Sequence, residues 1–169
     1  VSEVMFWLYR PLTFMLWGGV FERFPRLKAM VVEGGTMFMV PSWLMLLDHN
    51  YTDIQFSAKL GDFRSHLSMA PSEYFARNCG IGASCVPRRD LDMRDQIGLK
   101  QIMWGSDFPH PEGTWPNTAQ YYQDTFKGFD VDDGRQILGG NAIEFYGLDR
   151  QYLDGLAAEI GPSSSIFNG

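Results

Sequence analysis

An α/β fold with a parallel sheet is the class this sequence predicts, and two observations carry it. Short apolar runs, Leu27–Glu33 and Gln101–Trp104 among them, lack the alternation of a half-exposed strand and suit a sheet covered on both faces. Each run is followed by a turn and then a helical pattern, and parallel neighbours can be joined only by such long return connections. In sheets of this kind chemistry sits where strands end and loops begin, so Glu33 and Asp107, each at a strand exit, fall on one rim.

The elements follow in chain order. Val4 to Phe21 is apolar and helical, but Arg10-Pro11 interrupts it below membrane-spanning length, so it reads as a buried or partner-covered helix and no anchor. After Gly18-Gly19, the segment Val20 to Pro25 is a helix end closed by proline. The strand Leu27–Glu33 then turns at Gly34-Gly35, and Thr36 can cap a helix running from Met37 to Leu47, with Pro41 tolerated near its first turn. Asp48 to Pro71 is mixed and polar, a helix plus a loop. Glu73–Cys79 is a second strand candidate, and Val86-Pro87 opens a charged helix, Arg88 to Ile97, closed by Gly98.

Gln101–Trp104 is the third strand, followed by a helix from Asn117 to Phe126. Val131–Leu138 and Asn141–Tyr146 give two short helices, with Asn141 as a capping residue. Gln151 to Ile160 adds a helix, and Gly161 to Gly169 reads as a frayed tail. Residues 1–150 therefore form one α/β unit, and 151–169 a terminal helix with a flexible end. Three strand–helix units in a row do not close a barrel.

Composition bounds the function. At 169 residues, 45% hydrophobic and 15% aromatic, the chain buries a real core. A net charge of −6, with Arg88-Arg89 as the only dense basic spot, argues against a nucleic-acid partner. Two cysteines, Cys79 and Cys85, suggest reduced thiols and a cytoplasmic setting. No positively charged leader precedes the first apolar segment, which argues against a signal peptide. The chain starts at Val1, directly ahead of an apolar segment that needs something to pack on, and a fragment of a longer protein is the expectation.

The run Ile102-Met-Trp-Gly-Ser-Asp107-Phe-Pro-His110-Pro-Glu112 carries the sharpest chemical signal. A strand breaks at glycine and presents a carboxylate on a proline-stiffened loop, which is half of a metal site; an Asx-turn aspartate fits the same spacing. Glu33 suits a general base, a metal ligand or a supporting acid, and equally a strand-end acid held by neighbouring amides. His110, three residues after Asp107, can contact substrate, shuttle a proton or touch metal, although a lone loop histidine is more often a surface hydrogen-bonder. His49 sits at a helix end where a cation suits the dipole, and nothing around His66 recommends it. Cys79 has no histidine placed in sequence to activate it.

Five blocks together resemble the amidohydrolase-2 family of metal-dependent hydrolases and decarboxylases: Gly18-Gly-Val-Phe-Glu-Arg-Phe-Pro25, Val32-Glu-Gly-Gly35, Pro71-Ser-Glu-Tyr-Phe75, Met103-Trp-Gly-Ser-Asp-Phe-Pro-His-Pro-Glu-Gly-Thr-Trp-Pro116 and Ile137-Leu-Gly-Gly-Asn-Ala142. They occur in family order between Gly18 and Asp149. The resemblance implies a partial (β/α)8 TIM barrel, the last three strand–helix units being strands six to eight with C-terminal helices. It implies a divalent metal, zinc being the expected one, with Asp107 matching the ligand at the eighth strand and the other ligands lying before Val1.

Decarboxylase members often carry histidine where this chain has Glu33, which shifts the expectation to a hydrolase using a metal-activated water on a small carboxylated or cyclic substrate. Asp107 and Glu33 are then the catalytic candidates and His110 the substrate contact. A decarboxylase of the same family is the alternative. A non-catalytic interaction module, in which the exposed first helix and sheet edge support a homo-oligomer, is the reading from a different class. As an isolated chain the protein is expected to be inactive.

Overall fold

The apolar run before Glu33 forms a strand only over Ala29–Val32 (β1) and leaves Glu33 outside it with φ 57°. The computed structural model describes residues 3–34, 37–53 and 59–168, so the Gly34-Gly35 turn and the Thr36 cap lie in part outside the described residues. Strand β2 is Cys79–Ser84 and β3 is Ile102–Gly105; the order is β1-β2-β3 and both pairings are parallel. The register sets Val31 beside Ile81 and Ile81 beside Ile102, an apolar row across the sheet. Ile81 and Ile102 are fully buried, each contributing about 1.5–3 kcal/mol of apolar burial.

Helices surround this sheet. Val4–Trp17 (α1) turns Tyr9, Leu12 and Leu16 inward, at the spacing of one helical face. It ends at Trp17 instead of reaching Phe21, because Gly19 takes a left-handed conformation and starts a separate turn, Val20–Arg23 (α2). His66 finds its role here: its Nε2 lies 2.9 Å from the Trp17 carbonyl, an otherwise unanswered group at the helix end. Val40–Thr52 (α3) packs Trp43 against Tyr9 of α1, ring centroids 5.1 Å apart. His49, near the end of α3, lies 3.7 Å from Asp53.

The largest departure from the sequence reading is at residues 73–79, which are not a strand. Pro71–Asn78 is a helix (α4): Pro71 begins it and the Glu73 carboxylate accepts from the Ala70 backbone N–H at 2.8 Å. Pro71, Tyr74, Phe75 and Asn78 are buried on one helical face, and the second strand begins only at Cys79. The charged helix splits into Arg88–Leu91 (α5) and Arg94–Ile97 (α6). Thr118–Phe126 is α7.

Beyond it, Val131–Arg135 (α8) and Asn141–Tyr146 (α9) are joined without a break by a π-helical turn, Gln136–Gly140. Asn141 is therefore not a cap; its amide instead donates to the carbonyls of Leu99 and Ile102, both at 2.7 Å. Arg150–Ile160 (α10) has no buried residue. The last residues do not fray as the sequence suggests. Ser164–Phe167 forms a 3-10 turn in which Ile166 and Phe167 are buried, and the Phe167 carbonyl accepts from Gly128 N–H at 2.9 Å.

The face of the sheet opposite the Ile81 row is built of Met30, Val32, Gly80, Gly82, Ser84, Met103 and Gly105. At its N-terminal half Phe145 of α9 closes over it, so near that a Cβ on Gly80 would come within 3.1 Å of the ring. At its C-terminal half it opens: Val32 is exposed, and a Cβ on Gly105 would meet nothing within 4 Å.

Candidate active site

Glu33, Cys85 and Asp107 each follow the last residue or two of a strand, and each adopts a left-handed backbone, with φ of 57°, 50° and 61°. Left-handed geometry is costly for residues with a Cβ and collects where a chain must turn sharply at a functional edge. Because the three strands are parallel, all three side chains belong to the C-terminal end of the sheet. Glu33 and Asp107 lie on the outer strands, two strand spacings or about 10 Å apart, with Cys85 on the strand between them.

The loop after β3 is folded tightly on itself. His110 N–H donates to the Asp107 carbonyl at 2.8 Å, Gly113 N–H to the His110 carbonyl at 2.9 Å, and Thr114 N–H to the Ser106 carbonyl at 2.9 Å. A Cβ at Gly113 would fall 2.7 Å from the Ser106 carbonyl oxygen, so only glycine lets the loop close. The fold holds His110 Nδ1 3.2 Å from the Asp107 carboxylate. Asp107 is mostly covered and His110 more than half exposed. Beside them Phe108 and Trp115 are exposed and meet edge to face, centroids 5.7 Å apart.

Cys85 belongs to the same cluster. Its backbone N–H donates to the Gly105 carbonyl at 3.3 Å, and its thiol lies 3.6 Å from the Glu112 carbonyl. Partial burial pushes the thiol pKa up, and the negative charges of Asp107 and Glu112 push it further. Tyr121 of α7 packs behind the rim, its hydroxyl donating to the Val86 carbonyl, with burial raising its pKa to about 12.

The structure thus joins Asp107 with His110 and sets Glu33 on the same edge, exposed. Sequence reasoning missed Cys85 because it ended the second strand at Cys79. The small-residue run Gly80-Ile-Gly-Ala-Ser84 is the signal that could have moved that strand forward. Cys79 itself is buried, and burial pushes its thiol up to about 12, which agrees with an inert core residue. Both cysteines are free.

Among the described residues no group of three or more His, Cys, Asp or Glu side chains is placed to hold a metal ion. Asp107 and His110 supply two neighbouring donors, and this set does not by itself fit a catalytic divalent cation. No described helix is long and apolar enough to cross a membrane.

Residues 8–148 match the amidohydrolase family model, and the chain belongs to that family. Over 141 residues it is 29% identical to 2-amino-3-carboxymuconate-6-semialdehyde decarboxylase of Dictyostelium discoideum, an alignment covering 82% of this chain and 36% of that protein. It superposes on the crystal structure of 5-carboxyvanillate decarboxylase from Sphingomonas paucimobilis with a TM-score of 0.62 and 28% identity, over 80% of this chain and 38% of that one. Dihydroxybenzoic acid decarboxylase from Polaromonas sp. JS666, with bound manganese and the inhibitor 2-nitroresorcinol, gives a TM-score of 0.59 at 22% identity over 80% of this chain and 38% of that one, a likeness of fold.

The chain therefore spans little more than a third of these relatives. Their names overturn the expectation of a hydrolase: the relatives at 29% and 28% identity are decarboxylases. The metal in the Polaromonas protein is manganese, not zinc.

Proposed function

We propose that these residues are the C-terminal portion of a metal-dependent decarboxylase acting on a small aromatic or unsaturated carboxylic acid, β1 to β3 standing as strands six to eight of a (β/α)8 barrel. The observation that carries the reading is the Asp107–His110 pair, held 3.2 Å apart on a rigid strand-exit loop beside the exposed rings of Phe108 and Trp115. It rests also on the decarboxylase names of the relatives.

In this reading Asp107 contributes one carboxylate toward a divalent cation, and the remaining ligands come from outside these residues. A bound divalent cation would supply positive charge beside the acid's oxygens, with Asp107 as one of the residues that would hold it. His110 orients the Asp107 carboxylate from the solvent side and contacts the substrate, while Phe108 and Trp115 offer flat apolar surface to a planar ring. Glu33 flanks the site across the sheet and limits which anions approach it. The open, glycine-lined half of the sheet below the rim leaves room for the ring. The isolated chain is inactive in this reading, because two donors do not retain a catalytic cation.

The test uses the polypeptide encoded by the whole reading frame around these residues. Carbon dioxide release from a hydroxybenzoate-type acid is expected, with Asp107→Asn lowering kcat by about a hundred- to a thousandfold, the range reached when a key electrostatic group is removed. His110→Ala should raise KM more than it lowers kcat. Ester or amide cleavage without carbon dioxide release overturns the assignment.

A further inference from the structure

One face of the sheet is packed on helices, and Val31, Ile81, Ala83 and Ile102 belong to that core. By the alternation of a strand, Ser84 points to the opposite face. At every other position of that face the strands carry methionine, valine or glycine, so Ser84 is the one side chain on it with an N–H or O–H to offer. It is the last residue of β2, half-buried, and stands beside Gly105 of β3 in the register. A serine at a strand end can turn its hydroxyl back onto the backbone. Ser84 makes no such bond among the described residues, and its hydroxyl has no side-chain partner among them.

The space in front of this hydroxyl has a floor, a bare side and an acidic rim. Toward the N-terminal end Met30 lies over Gly82, its sulfur 3.6 Å from where a Cβ would stand, and Met103 and Phe145 crowd Gly80 in the same way at 2.7 and 3.1 Å. Beside Ser84 the neighbouring strand is bare, since a Cβ on Gly105 would meet nothing within 4 Å. Above it stands Asp107, one strand across and two residues beyond Gly105. Strand spacing and rise per residue put the two backbones about 8 Å apart, the span of one substituted benzene ring. The strand residues of this face include no Lys, Arg or His, while the rim carries the acids Glu33 and Asp107. The oxygen such a place answers is a neutral hydroxyl and not a second carboxylate.

We propose that Ser84 selects the substitution of the substrate's ring, its Oγ exchanging a hydrogen bond with a ring hydroxyl remote from the carboxylate that is lost, while Met30, Met103 and Phe145 floor the slot. This rests on the decarboxylase reading above and narrows its substrate to a hydroxylated aromatic monocarboxylate. Strands from outside these residues enclose the slot without turning Ser84, whose direction is fixed by its register with β1 and β3. Enclosure sharpens the choice, because an acid lacking the ring hydroxyl then leaves the Ser84 hydroxyl without a partner.

The polypeptide encoded by the whole reading frame tests this, with carbon dioxide release followed from salicylate and from its counterpart bearing a second hydroxyl para to the carboxylate. Wild type should favour the second acid in kcat/KM. Ser84→Ala should reduce that preference about tenfold, the scale of one hydrogen bond, by raising KM for the dihydroxylated acid while salicylate changes by less than about twofold. Ser84→Thr keeps the hydroxyl, has open space beside Gly105 for its methyl group, and should keep the preference. Equal losses on both acids mark a merely structural role and overturn the inference, as does a preference unchanged in Ser84→Ala. In either case carbon dioxide is still released and the decarboxylase reading survives, whereas no release from either acid overturns both.

Discussion

At the N-terminal end of the sheet, buried side-chain amides donate to distant carbonyls; at the C-terminal end, polar residues sit in left-handed backbone and are less completely covered. Asn78, fully buried, donates to the carbonyls of Pro25 and Leu27 at 3.0 and 2.7 Å and so fixes the approach to β1. Asn141 does the same for β3 through Leu99 and Ile102. Gln101 adds a bond from its side-chain amide to the Ala76 carbonyl at 2.9 Å, joining the end of α4 to the start of β3. Across the sheet, Glu33, Cys85 and Asp107 share left-handed geometry, and none is fully buried. One end is tied by long-range bonds from buried amides, and the other carries polar side chains on sharply turned backbone.

The strongest way to break the comparison is to remove an asparagine. Asn78→Ala leaves the Pro25 and Leu27 carbonyls and the Arg77 Nε–H without the buried amide that answers them, and a loss of about 3 kcal/mol is expected, read as a lower urea midpoint. Asn141→Ala should cost less, about 2 kcal/mol, because its Oδ1 is already buried without a partner and the substitution removes that penalty too. A loss no greater than that of exposed positions would show that the N-terminal end is not what fixes the sheet.

Next in size is an alkaline effect at the same end. Cys79 opens β2, and its pKa rises from a usual 9.0 to about 12, chiefly by burial, with Lys28 opposing. The unfolded thiol ionises near pH 9 while the folded one keeps its proton, so this contribution is intact below pH 9 and is lost as pH rises toward 12. Relative to pH 8, Cys79→Ala should lose about 2 kcal/mol less stability than wild type at about pH 10.5. Parallel pH dependences in the two proteins would refute it.

The rim was legible in the sequence and the covered end was not. Asp107 stands out because glycine, serine and two prolines surround it within a few residues, so the turn and the carboxylate are encoded together. Glu33 and His110 were found in the same way, as polar residues at the edges of apolar runs. The strands carrying Glu33 and Asp107 were near their true positions for the same reason. The middle strand was displaced because Glu73–Cys79 contains Tyr and Phe, which favour strands, while Pro71 and the Glu73 cap favour a helix, and burial of Tyr74 and Phe75 on one face decides for the helix. The asparagine bonds span 39 to 53 residues in sequence, and no local pattern marks them. Asn141 in particular has the residue type of a cap and acts as a long-range donor.

A smaller effect of opposite sign sharpens the other half of the comparison. Glu33→Gly or Cys85→Gly removes the penalty of a Cβ in left-handed backbone but adds the chain entropy of glycine, for a net gain of about 0.5 kcal/mol. Thermal unfolding should therefore show these rim variants at or above the wild-type midpoint. A clear destabilisation would mean that the rim, too, is held by its side chains.

The smallest effect is expected from a residue with more hydrogen bonds than most. Glu22 of α2 accepts from the Tyr74 hydroxyl and from the Ser68 hydroxyl and N–H, and these bonds, led by that from Tyr74, hold its pKa below 4.5. A depressed carboxylate contributes stability above its unfolded pKa and loses it as pH falls through the folded value. Glu22→Gln should thus flatten the acid limb below pH 4.5, with its unfolding midpoint falling less between pH 7 and pH 3 than that of wild type. Glu22 is partly open to solvent and Ser68 is exposed, so water competes for part of this network and the change should be slight beside that of Asn78, which has as many bonds and is fully buried. If Glu22→Gln proved as damaging at neutral pH as Asn78→Ala, bond number instead of burial would set the hierarchy at this end of the sheet.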